Sequence, residues 1–269
     1  MTTIVVGGDH ATTTAMAIGA GWPLPGPAEP ELEVVVIEAD RTGGSLAAWL
    51  DTPLSPSLSS VVAGLHQGAS SGATRGTQWS IVEAMVRRSA SGLRFVPAPF
   101  RTREARGAVD EAERTVFPLV AAEERTVALL DVGRFDPLRL PRCVHDATLT
   151  LVVHRQDPAS APAATVRLER LAEAVDALQS IGVPLGLAVV GEQPFSLAEV
   201  VEFTELDGPA WTLATDPLSA AVLAGQAGVS ARRLARLPLM RTAAGLARDI
   251  APLASDTPAP SVLMDGGAR

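Results

Sequence analysis

Val5-Val6-Gly7-Gly8-Asp9-His10-Ala11-Thr12-Thr13-Thr14 follows a short apolar strand and leads into an Ala-rich run of helical composition. A Gly-rich turn at such a junction points backbone N–H groups and a helix N-terminus at whatever lies in front of it, the common way for a fold to hold phosphate. A working phosphate loop also needs a lysine that reaches the β- and γ-phosphates, and a neighbouring Ser or Thr for magnesium. Thr12 and Thr13 supply hydroxyls, but Ala11 stands at the lysine position and His10 at that of the preceding glycine.

No lysine occurs anywhere in the 269 residues, so all 22 basic residues are arginine. Asparagine and tyrosine are also absent, which fits GC-rich coding pressure. Such pressure exchanges surface Lys for Arg harmlessly, whereas a phosphate-contacting lysine is held by selection. Its loss from this loop points to altered function. The 47% apolar content is ample for a packed core, and the length suits one large α/β domain. A formal charge of −8 argues against coating nucleic acid through the overall field. The lone Cys143 permits no internal disulfide and reads as a buried small hydrophobe. The chain enters a strand at once, shows no signal-peptide pattern and has no apolar run of membrane-spanning length, so a cytoplasmic location is expected.

Strand and helix patterns alternate along the chain. Strands are predicted at 3–6, 33–38, 93–96, 126–130, 148–153, 185–190 and 211–214, and helices at 11–20, 104–122, 161–180, 197–203, 219–223 and 232–250. The stretch 45–91 reads as helical with Ser/Gly-rich breaks, notably 68–72. This order predicts a three-layer α/β fold, a mostly parallel sheet of about seven strands with helices on both faces. The domain spans 1–254, and the Pro/Gly-rich tail 255–269 is predicted to be disordered. Ligands in such sheets bind beyond the carboxyl ends of the strands, so Gly7 to Thr13, Asp40, Asp131 and Gly191 are expected to converge.

The element order resembles the MinD/ParA family of deviant P-loop ATPases over nearly the whole folded chain. Three segments carry the likeness: the glycine pair before the threonines, the switch-I-like Val35-Val36-Ile37-Glu38-Ala39-Asp40-Arg41-Thr42-Gly43-Gly44-Ser45-Leu46, and the switch-II-like Leu129-Leu130-Asp131-Val132-Gly133-Arg134. In wording the chain is similar to actinobacterial MinD-like proteins, among them septum-site determining proteins and proteins encoded beside Tad-type pilus or secretion ATPases. The resemblance implies a homodimer, a nucleotide site over Gly7, Gly8, Asp9, His10, Ala11, Thr12 and Thr13, magnesium at Thr12 and Asp131, and a water-polarising Asp40. The family's two loop lysines fall on Val6 and Ala11, and where it often places an asparagine on the adenine side this chain has Gly191-Glu192-Gln193-Pro194. Losing two cations and gaining Asp9 makes the loop about three charge units more negative, each contact being worth a few kcal/mol near a protein surface. Backbone N–H groups and a helix dipole return only about 1 to 2 kcal/mol.

Other constellations give way to structural readings. Gly7-Gly8-Asp9-His10 resembles a manganese-ligand stretch of the arginase family, but His66, His145 and His154 show none of the required ligand clusters. No Gly-x-Ser-x-Gly elbow supports a serine hydrolase. Arg232, Arg233, Arg236, Arg241 and Arg248 make a basic segment, read as a solvated face over Leu234, Leu237, Leu239 and Leu246 in preference to a DNA or membrane contact. Two functional readings follow. The first is a pseudo-ATPase without bound cofactor that regulates or adapts a division, pilus or secretion system through protein contacts. The second is a divergent ATPase or GTPase, with ATP and magnesium, in which Arg41 or Arg134 replaces the lysine.

Overall fold

The computed structural model describes residues 2–23, 32–157 and 160–255. Its centre is β1 (Thr2–Gly8), six of whose seven residues are buried. β1 pairs in parallel with β5 (Thr126–Asp131) on one side and β6 (Leu149–Arg155) on the other. Beyond them lie β2 (Glu33–Glu38), β4 (Arg94–Val96) and the two-residue β3 (Arg87–Arg88) on one flank, and β7 (Leu185–Val190) and β8 (Ala210–Leu213) on the other. The sheet order is β3-β4-β2-β5-β1-β6-β7-β8, parallel throughout except for the antiparallel β3–β4 edge. All seven predicted strands are present, and β3 is an additional short one at the edge. A two-residue edge pair of arginines carries no apolar alternation from which a strand is readable.

The period of two along each strand divides the core in two. Val5, Val35, Ile37, Leu130, Val152 and Leu187 face one side, packed by α3 (Leu58–Ser70), α4 (Arg75–Met85), α5 (Thr102–Ala121), α6 (Ala161–Ser180) and α7 (Leu197–Thr204). Ile4, Val6, Val36, Leu129, Leu151 and Val153 face the other, packed by α1 (Ala11–Ala20), α2 (Leu46–Trp49), α8 (Pro217–Leu223), α9 (Ala231–Leu234) and α10 (Pro238–Ser255).

Local chemistry sets the helix boundaries. Ser196 and Glu199 form a reciprocal capping box at the start of α7, and Asp216 accepts the Leu218 and Ser219 N–H groups at the start of α8. The predicted helix over 232–250 is split, because Pro238 opens α10 as a first-turn residue and separates it from α9. Leu234, Leu239 and Leu246 are buried, while Arg232, Arg233, Arg236, Arg241 and Arg248 are exposed. Ser255 ends α10, and the remainder of the predicted tail lies outside the described residues. No helix among the described residues is long and apolar enough to cross a membrane.

Candidate functional site

The carboxyl ends of β1, β2, β5 and β6 surround a cleft of about 700 Å³, lined by Gly8 to Thr13, Asp40, Gly133, Arg134, His154 and Arg155 and by one face of α6. Its glycines are dictated by close packing. A Cβ on Gly7 would lie 2.4 Å from the Phe135 ring, and one on Gly8, at φ +115, 2.2 Å from the Val153 carbonyl oxygen. Two loop N–H groups are spent internally, Gly8 donating to Gly133 O at 2.7 Å and Asp9 to Val153 O at 2.8 Å.

The seat in front of α1 is engaged by the chain's own side chains. His10, the residue before the helix, has left-handed backbone at φ 65, caps no N–H with its ring and accepts at Nε2 from the Arg155 guanidinium at 2.8 Å. A guanidinium only donates, so the ring is neutral with its proton on Nδ1. Burial, followed by the charge of Arg155, pushes the His10 pKa below the ordinary value. Asp9 pairs with Arg134 at 3.3 Å, and Ala11 presents a methyl group, itself buried.

Arg134 therefore reaches the loop, as one of the two candidate phosphate arginines. Arg41 does not: its guanidinium is turned onto α5, where it pairs with Asp110 and, at 3.6 Å, with Glu113. Two carboxylates one helical turn apart on α5 hold it there. Asp40 lines the cleft, and its Oδ1 closes a turn by accepting the Thr42 N–H and hydroxyl, each at 2.7 Å. Gly191, expected to converge here, does not line the cleft. Gln156 braces its loop instead, donating to the Gly191 and Phe195 carbonyls and accepting from the Phe195 N–H, while Gln193 is exposed. Among the described residues no group of three or more His, Cys, Asp or Glu is placed to hold a metal ion.

Asp131 lies fully buried at the end of β5 with Oδ1 accepting from Gly133 N–H at 3.1 Å. Burial pushes its pKa up to about 7, with the Glu38 and Asp40 charges adding and Thr12 and the Gly133 N–H opposing. The native state thus holds this proton more tightly than the unfolded chain, whose value is 3.8, so the contribution is fully present below about pH 4, declines as pH rises between the two values and is gone above about pH 7. Between pH 6 and 8 the protein is expected to lose about 1 kcal/mol in urea unfolding, and Asp131→Asn to remove that part of the slope.

Several residues of the site are not singled out by the sequence. Glu38, 1% exposed, accepts the backbone N–H groups of Ser45 at 2.6 Å, Leu46 at 3.1 Å and Ala98 at 2.9 Å, and so shapes the switch-I-like turn. Arg155, Arg167 and Arg170 bring further guanidiniums into the cleft from β6 and α6. Arg155 was findable as the last residue of a central strand, and Arg167 and Arg170 by their helical spacing with Leu171 and Ala174.

Solved structures share this architecture. A ParA family ATPase from Chlorobium tepidum TLS superposes with a TM-score of 0.64 at 13% identity, over 92% of this chain and 97% of that one. The septum site-determining protein MinD of Pyrococcus horikoshii OT3, complexed with Mg-ADP, gives a TM-score of 0.63 at 15% identity, over 94% and 98% of the two chains. The fold is of the MinD/ParA type. The MinC:MinD cell division complex of Aquifex aeolicus supplies a further MinD/ParA match, at TM-score 0.63, 14% identity and coverage of 94% and 96%. No protein-family model and no curated protein matches the sequence. In this MinD/ParA-like frame the cleft occupies the sheet end at which the glycine loop, Asp40 and Asp131 meet.

Proposed function

We propose that this chain is a MinD/ParA-like pseudo-ATPase, a homodimeric regulator or adaptor of cell division, pilus assembly or secretion that works through protein contacts and not through nucleotide turnover. The observation that carries the reading is the engagement of the α1 seat by Asp9–Arg134 and His10–Arg155 around a methyl group at Ala11. Set against magnesium and a triphosphate, these groups do not fit: the loop offers no amino group, places a carboxylate where phosphate charge would fall, and commits two of its N–H donors elsewhere. The partner role is supported by MinD appearing among the matched structures in complex with MinC.

The divergent-ATPase reading is favoured by one observation, the placement of the Arg134 guanidinium beside the loop. The two readings separate on nucleotide binding measured by calorimetry. The pseudo-ATPase binds neither ATP nor GTP with magnesium, whereas the divergent enzyme binds and loses binding in Arg134→Ala.

A further inference from the structure

The chain is acidic overall, yet four guanidiniums, Arg134, Arg155, Arg167 and Arg170, gather in the one cleft, facing the carboxylates of Asp9 and Asp40. Arg134 pairs with Asp9, and Arg167 with Asp157 at 3.7 Å. Among the described residues the Arg155 guanidinium is hydrogen-bonded to the neutral His10 ring alone, Arg170 is exposed, and neither has a carboxylate within salt-bridge distance. Beside them the His154 ring lines the cleft at 4% exposure. On α6 the helical period sets Arg167, Arg170, Leu171 and Ala174 toward the cleft and Glu169 and Asp176 on the opposite side.

We infer that this arginine-lined cleft is the docking site for an acidic segment of a partner protein, which rests on the adaptor reading and names the partner chemistry of the same site. The cations are dispersed. Arg134 and Arg155 leave strands on opposite sides of β1, whose ends stand roughly 10 Å apart, and Arg167 and Arg170 extend the row along a helix. A row of that length meets one carboxylate per guanidinium from an acidic polypeptide, each pair able to form the forked, charge-assisted contact. A compact phosphate would instead concentrate its charge at the α1 seat beside Asp9. Apolar contacts are on hand at the same sheet end: Trp49 and Phe135 line the cleft, and Leu138 and Phe100 beyond it are 96% and 65% exposed. Arginine and aromatic groups together are the composition of protein interfaces.

The test is fluorescence anisotropy on the full chain with a labelled oligo-glutamate peptide carrying one phenylalanine, at low salt. Wild-type protein binds it, salt weakens binding, and the double reversal Arg155→Glu/Arg170→Glu raises Kd about tenfold or more. The control reversal Arg232→Glu/Arg233→Glu changes Kd less than about twofold. Equal binding by wild type and the cleft variant overturns the inference, as does no binding. Displacement of the peptide by tripolyphosphate at lower concentration than by unlabelled peptide also overturns it, in favour of a phosphate site. Should the double variant fail to fold by circular dichroism, Arg170→Glu alone decides, with about a threefold or greater loss expected and no loss contradicting. Calorimetry with Mg-ATP on the same preparation keeps the two readings apart. Nucleotide binding together with an intact arginine dependence sinks the pseudo-ATPase but leaves the acidic site standing, and the converse pattern does the reverse.

Discussion

Glu38→Ala is expected to lower the unfolding free energy by about 3 to 5 kcal/mol, read by urea denaturation or as a large fall in Tm. Three backbone N–H groups, those of Ser45, Leu46 and Ala98, converge on this carboxylate, and the Ser45 hydroxyl adds a fourth donor at 3.2 Å. Each buried donor left without a partner costs about 1 to 3 kcal/mol. Part of the sum is returned, because burial raises the Glu38 pKa and removing the carboxylate abolishes that desolvation cost. Glu38→Gln keeps an acceptor but turns an NH₂ group toward one of the donors, so about half the loss is expected. Against a total stability on the order of 5 to 15 kcal/mol, either change matters. Equal stability of Glu38→Ala and wild type would show that the turn from 39 to 46 does not depend on this side chain.

Gly8→Ala should cost at least about 3 kcal/mol and leave little soluble protein. The obstacle is backbone: the new Cβ would lie 2.2 Å from the Val153 carbonyl oxygen, itself held by the Asp9 N–H at 2.8 Å, and no side-chain movement relieves it. The left-handed φ of +115 adds its own strain. Gly72→Ala is the matched control, since it shares a positive φ of +75 but has nothing within 4 Å of the added methyl, so it should cost only about 1 kcal/mol. A well-folded Gly8→Ala protein contradicts the packing account. The same geometry accounts for the glycine pair by packing alone. Glycines in such a turn are evidence of tight strand-to-helix packing first.

The fold was legible in the sequence because its strands are unambiguous. The β-branched run at Glu33–Glu38 and the apolar run at Leu185–Val190 have the composition of strands buried on both faces, and α1 and α6 begin and end where the sequence places them. What stayed hidden is short or nonlocal. β3 is two arginines long, and the break before α10 turns on whether Pro238 stops one helix or starts another. At the site, Asp40, Arg134 and the loop were found from their positions at strand ends. Arg41 was misplaced because its partners, Asp110 and Glu113, lie on a helix some seventy residues later. The gathering of Arg155, Arg167, Arg170 and His154 is likewise a product of β6 lying beside β1 and of α6 folding over the strand end, a juxtaposition no local pattern announces. A loop read as stripped of cations thus proves to be bordered by arginines from other elements, each of which approaches from the side and not from within the helix-capping turn.

Isothermal titration of the full chain with ATP and magnesium, run beside an Asp9→Gly/His10→Gly/Ala11→Lys variant that restores the phosphate-loop pattern, measures the central claim most directly. No heat of binding up to about millimolar nucleotide is predicted for the wild-type chain, a Kd weaker than that corresponding to about 4 kcal/mol. Micromolar binding by the wild-type chain, with or without hydrolysis, would contradict it.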